Sequence, residues 1–104
     1  MRFRRETGLS FPKSRRLTDP DYLNFIRQRP CIVCRRYGVH AHHVKSRGAG
    51  GSDYLAVPLC PEHHHLCHVL GKETFQAKMG VDLKEAVIGC LIDYIRELKH
   101  GRAD

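Results

Sequence analysis

The residues with the most chemistry to offer lie between His40 and His68, in the stretch HAHHVKSRGAGGSDYLAVPLCPEHHHLCH. It holds seven of the chain's eight histidines and two of its five cysteines. Imidazole and thiol lone pairs crowded into a small fold are costly to bury unless a cation takes them up. The stretch therefore reads as a metal-binding region.

Helical and strand spacing divide its ligands. From Glu62 to Leu70 there is no Gly or Pro; Pro61 stands near a first-turn position and Gly71 is a stop, which predicts a short helix. His64 and His68 fall one turn apart on one face of it and can close on one ion. A zinc protease would need Glu directly after the first of these histidines, and here His65 follows His64. A third ligand must come from His42 or His43, within an alternating Val39 to Val44 stretch that reads as a strand. Strand neighbours point to opposite faces, so one of the pair faces the ion and the other is free for chemistry.

A second set is built from two knuckles. Cys31-Ile32-Val33-Cys34 and Cys60-Pro61-Glu62-His63 have the paired spacing of a tetrahedral zinc site, giving Cys31, Cys34, Cys60 and His63 as ligands. Cys67, one turn beyond His63, is the alternative fourth ligand. A thioredoxin-like redox pair would stand alone, without the second knuckle. Pro30 with Cys31 and Cys34 is similar to the motif of zinc deaminases, but these need an upstream H-x-E and no histidine precedes His40. The expectation is a closed structural zinc beside an open three-histidine site whose vacant positions can take water and a phosphate oxygen. Between the strand and helix ligands runs a glycine-rich loop, Lys45 to Asp53, with Lys45 and Arg47 adding positive charge.

These groups must be positioned by a chain of 104 residues, enough for one domain with a modest core. No apolar run approaches the roughly 18 residues of a membrane span, and the N-terminus lacks the apolar core of a secretory signal. An odd number of cysteines set beside histidines favours metal ligation in a reducing cytoplasm over disulfides. Of the net charge of +7, +5 falls in residues 1–16, where Arg2, Arg4, Arg5, Lys13, Arg15 and Arg16 face only Glu6. We expect residues 1–17 to form a basic arm attracted to nucleic acid and residues 18–104 to form one domain.

Within that domain Thr18 or Asp19 caps a helix with Pro20 at its first position and Tyr22, Phe25 and Ile26 as its apolar stripe, ending before Pro30. Beyond Gly71, Glu73 to Met79 reads as one or two helical turns stopped by Gly80. Asp82 and Glu85 then form a capping box for a helix to about Lys99. Its expected core stripe is Leu83, Ala86, Val87, Cys90, Leu91, Tyr94, Ile95 and Leu98. The fold class expected is α+β, a small metal finger with a zinc knuckle between an N-terminal helix and a longer C-terminal one.

The order C-x-x-C, His-His-Val, Lys-Ser-Arg, a Gly-Gly loop and Pro-Leu-Cys-x-x-His-His-x-x-x-His resembles the HNH endonucleases, with their ββα-metal finger. The likeness covers about Cys31 to His68. The flanks, with Pro-Cys-x-x-Cys, Gly-Ser-Asp-Tyr-Leu and a long C-terminal helix, are most similar to phage recombination-enhancement Ref-type nucleases. That resemblance implies His43 as general base and His42, His64 and His68 as ligands of a catalytic Mg, Mn or Zn ion, beside the structural zinc. It also implies a phage or prophage setting in a bacterial cytoplasm, and a recombinase filament as a partner.

The chain departs from the family in one respect that matters. The central Asn of the motif should fall near Leu55, yet the sole asparagine is Asn24. A loop carbonyl or Asp53 must then orient His43. The activity expected is metal-dependent hydrolysis of DNA phosphodiester bonds, with Lys45, Arg47 and the arm holding the backbone and little sequence preference. The rival readings are a zinc-stabilised DNA-binding module without cleavage, favoured by the missing Asn, and a protein-interaction adaptor, which would leave the open site idle. His40 and His65 are assigned to no metal.

Overall fold

The computed structural model describes residues 16–101. Four helices and two strands follow in the order α1 (Pro20–Arg27), β1 (His40–His43), β2 (Ala56–Leu59), α2 (Pro61–Leu70), α3 (Lys72–Met79) and α4 (Leu83–Lys99). Short 3-10 turns at Arg47–Ala49 and Asp53–Leu55 interrupt the loop between the strands. The architecture is α+β, as the sequence predicts. No described helix is long and apolar enough to cross a membrane.

The sheet is a single antiparallel pair in which His40 faces Leu59, Ala41 faces Pro58, His42 faces Val57 and His43 faces Ala56. β1 is one residue shorter at each end than the Val39 to Val44 alternation suggests, although the Val44 N–H still donates to the Leu55 carbonyl at 2.9 Å. Every residue of β2 is buried, because α1, α2 and α4 all pack on it. The Pro58 carbonyl reaches outward from the pair and accepts the Ile32 N–H at 3.1 Å, which ties the first cysteine knuckle to the sheet.

Local chemistry sets the helix ends. Asp19 caps α1 by accepting the Tyr22 N–H at 3.0 Å. Cys60 caps α2 through its sulfur, which accepts the His63 N–H at 3.5 Å. Gly71, at φ 87°, makes the corner where α2 turns into α3, a left-handed backbone that a side chain would strain. Gly51 is needed for a different reason: a Cβ there would sit 1.8 Å from the Lys45 carbonyl oxygen, so the loop folds back on itself only around glycine.

The main core joins Cys31, Val57, Leu59, Cys67, Phe75, Leu83 and Val87. A smaller one sets Tyr22 and Ile26 of α1 against Cys90, with Tyr22 edge-on to Tyr94 at 4.9 Å between ring centres. The expected stripe on α4 holds over Leu83, Val87 and Cys90 but not at its end. Ile95 and Leu98 are 53% and 59% exposed. Tyr94 still packs on the smaller core, whereas Ile95 lies with Ile88 and Ile92 on the side of the helix turned away from the domain.

Candidate metal centres

The register of the strand pair decides what the histidines do. His42 is 4% exposed and turns toward α2, where His64 and His68 stand one turn apart. Ring centres lie 4.9 Å apart for His42 and His64, 5.2 Å for His42 and His68, and 4.9 Å for His64 and His68. Three imidazoles sharing one tetrahedral ion require ring centres about 5 Å apart, given metal–nitrogen bonds of about 2.0–2.1 Å. One potential ligand nitrogen from each comes within 4.8 Å of the others. The His42 Nδ1 is buried and has no hydrogen-bond partner, a cost that a metal ion would remove. Burial, reinforced by His64 and His68, pushes the His42 imidazole down to about 4, so it is neutral with a lone pair to give. Burial, with His68 and His40 nearby, lowers His64 as well. His68 is exposed, so the group opens to solvent.

The second group is more enclosed. Cys31, Cys34, Cys60 and His63 each bring a ligand atom within 4.8 Å of the rest. The Cys34 and Cys60 sulfurs lie 3.8 Å apart, and His63 Nδ1 is 3.7 Å from the Cys31 sulfur and 3.2 Å from that of Cys60. The edges of a tetrahedral Cys3His zinc site are about 3.8 Å between sulfurs and about 3.5 Å from sulfur to nitrogen. The fit is good. The Val33 N–H points at the Cys31 sulfur and the Arg36 Nε–H at that of Cys34. Hydrogen bonding by Arg36 brings the Cys34 thiol down to about 6, toward the thiolate that zinc needs. Both four-residue and three-residue groups could hold a metal ion, and the first suits a structural zinc.

His43, on the opposite face of β1, is held elsewhere. Its Nε2 lies 2.8 Å from Asp53 Oδ1. Asp53 is 3% exposed; its Oδ1 also accepts from Arg16 at 3.0 Å and its Oδ2 accepts the Asp19 N–H at 2.8 Å. Burial alone would raise this carboxyl, but the hydrogen bonds from His43, Asp19 and Arg16 outweigh it and bring it down to about 2. A carboxylate fixed on Nε2–H leaves Nδ1 as the ring nitrogen with a lone pair, and among the described residues nothing donates to it.

The family model described as "Protein of unknown function (DUF968)" matches residues 5–94. The chain belongs to this family. The uncharacterized protein YdfU of Escherichia coli (strain K12) is 30% identical over 84 residues, which are 76% of this chain and 24% of that protein. This chain thus spans about a quarter of its relative's length. No solved structure matches it.

In this DUF968 chain the Cys3His set expected from spacing comes together, and His42, which the resemblance chose over His43, joins His64 and His68. Cys67 does not join the zinc group; its sulfur lies 3.7 Å from His42 Nε2. The alternative in which it replaces His63 is thus set aside. Lys45 and Arg47 are exposed in the loop. Arg16 is turned inward onto Asp53 and the Gly51 carbonyl. Arg2, Arg4, Arg5, Lys13 and Arg15, also placed on DNA from the sequence, lie outside the described residues.

His40 is the residue that ligand spacing overlooked. Its Nδ1 lies 2.8 Å from His64 Nδ1. Two nitrogens on one tetrahedral ion would be about 3.3 Å apart, so this is an N–H···N hydrogen bond and not shared ligation. With His64 Nδ1 so engaged, Nε2 is the nitrogen left to a metal ion. The signal was present: strand period places His40 on the same face as His42.

Proposed function

We propose that this chain is a metal-dependent endonuclease of the HNH type, hydrolysing phosphodiester bonds in DNA. The observation that carries the reading is His43, held by Asp53 on one side of β1 while its neighbour His42 meets His64 and His68 on the other. A binding module has no need of an oriented imidazole next to three converging ligands.

In this reading His42, His64 and His68 hold a Mg, Mn or Zn ion, which when bound supplies Lewis-acid stabilisation of charge on the phosphate oxygens. His43 Nδ1 takes a proton from the attacking water, and the Asp53 carboxylate on Nε2–H steadies the imidazolium that results. Asp53 so occupies the orienting role of the Asn that the motif lacks. Lys45 and Arg47 hold the phosphate backbone from the loop, without reading bases. Cys31, Cys34, Cys60 and His63 keep a structural zinc that fixes the start of α2. The Ref-type likeness adds a recombinase filament as the recruiting partner.

Nicking of supercoiled DNA with added divalent metal tests this. His43→Ala should slow cleavage by on the order of 10² to 10⁴ while metal content and DNA binding survive. His42→Ala should lose the open-site ion as well. Cleavage by both variants at the parent rate would refute the assignment.

A further inference from the structure

α4 has two apolar faces on opposite sides. One holds Leu83, Val87 and Cys90 and is buried in the domain. The other carries Ile88, Ile92 and Ile95, which are 50%, 46% and 53% exposed. At 100° per residue these three fall within a narrow arc, and Glu85 and Lys99, both exposed, lie on the same arc at its two ends. A helix that is apolar on both sides is normally covered on both. Gly89, at the edge of this arc, has open space where its Cβ would stand, which lets another backbone approach closely.

We propose that a second copy of this chain covers the outer face, pairing α4 antiparallel to its own copy about a two-fold axis at Ile92. Charge selects this occupant and this direction. With Ile92 at the axis, Glu85 stands level with the partner copy's Lys99 at both ends of the seam, and Ile88 within about one residue's rise of its Ile95. A parallel pairing would set Glu85 on Glu85 and Lys99 on Lys99. The surface is thus complementary to itself in one orientation, as an isologous interface must be. One helical seam is a small interface, below about 1,200 Å² in total, so association in the micromolar range is expected. The inference is independent of what the metal sites do.

Sedimentation equilibrium of the zinc-loaded full chain, across micromolar concentrations, should show a monomer–dimer equilibrium. Ile92→Asp should weaken it at least about tenfold with no change in the circular dichroism melt, because this side chain lies outside the core. Glu85→Lys and Lys99→Glu, which also leave the core untouched, should each weaken dimerisation by about tenfold, and the two together should restore it. A parent chain that stays monomeric at the highest concentration would overturn the proposal, leaving the face for a different chain. Dimerisation indifferent to Ile92→Asp would overturn it too, and failure of the double reversal to restore association would overturn the antiparallel pairing.

Discussion

Asp53→Asn keeps the shape of a buried side chain and removes its charge. Ionised Asp53 is favoured in the folded chain because its pKa falls from 3.8 to about 2. At about 1.4 kcal/mol per unit this amounts to about 2 kcal/mol of stability, part of it screened because the paired Arg16 side chain is 22% exposed. A depressed carboxyl stabilises above its unfolded value and loses that contribution as pH falls through its folded value. The part of the gap between parent and variant that comes from Asp53's own ionisation should therefore close only between about pH 4 and pH 2. Urea unfolding of the zinc-loaded proteins at two pH values above 5 measures it. The substitution also reaches His43: the Asn amide can turn its NH2 toward Nε2, moving the ring proton to Nδ1 and removing the lone pair the proposed base needs. Imidazole nitrogen chemical shifts report that change of tautomer, and cleavage should fall toward the rate of His43→Ala. A variant as stable as the parent, with His43 still protonated on Nε2, would refute the reasoning.

Other outcomes follow from the same geometry. Cys31→Ser should lose zinc and cooperative unfolding together, since structural zinc contributes about 10–16 kcal/mol in small domains; retained zinc with an unchanged melt would contradict the ligand set. His40→Ala should weaken binding of Mn or Co to the open site by about 10- to 100-fold as read by calorimetry, and His40→Asn, whose amide oxygen can accept from His64 Nδ1, should recover part of it. Removing residues 1–15 but sparing Arg16 should lower the salt dependence of DNA binding by up to about 0.9 per cation lost, and an unchanged slope would show that those cations do not meet phosphate.

What the sequence made legible depended on the range over which each signal acts. The Cys3His set and the His64–His68 pair could be drawn in advance because they obey short periods, C-x-x-C and C-x-x-H across turns and i and i+4 on a helix; strand alternation separated His42 from His43, and only the family resemblance chose His42 as the ligand. The capping residue Asp82, and Asp19 as one of two candidates beside Thr18, were visible for the same reason, as each bonds to a backbone N–H three residues on. The exposure of Ile95 and Leu98 was not, because α4 is apolar on more than one side and periodicity alone does not say which side meets the domain. Arg16 shows the opposite failure. Its charge placed it in a solvated arm, whereas a buried carboxylate 37 residues away draws it inward. Asp53 was one of two candidates for orienting His43, and only tertiary contact could choose it.

The two metal groups are not independent. His63 belongs to the Cys3His set and the next residue, His64, to the three-histidine set, so both hang on the first two turns of α2. That helix begins at Cys60, whose sulfur caps it, so the Cys3His group sits at its start. His43 is anchored differently, through Asp53 to Asp19 and Arg16 at the start of α1. Breaking up the Cys3His group should therefore free His64 and His68 while the His43–Asp53 contact still has its own supports. The zinc group then acts on the proposed chemistry by placing the helical ligands, and the polar network at α1 acts on it by aiming the base; β1, one strand of four residues, is where the two meet.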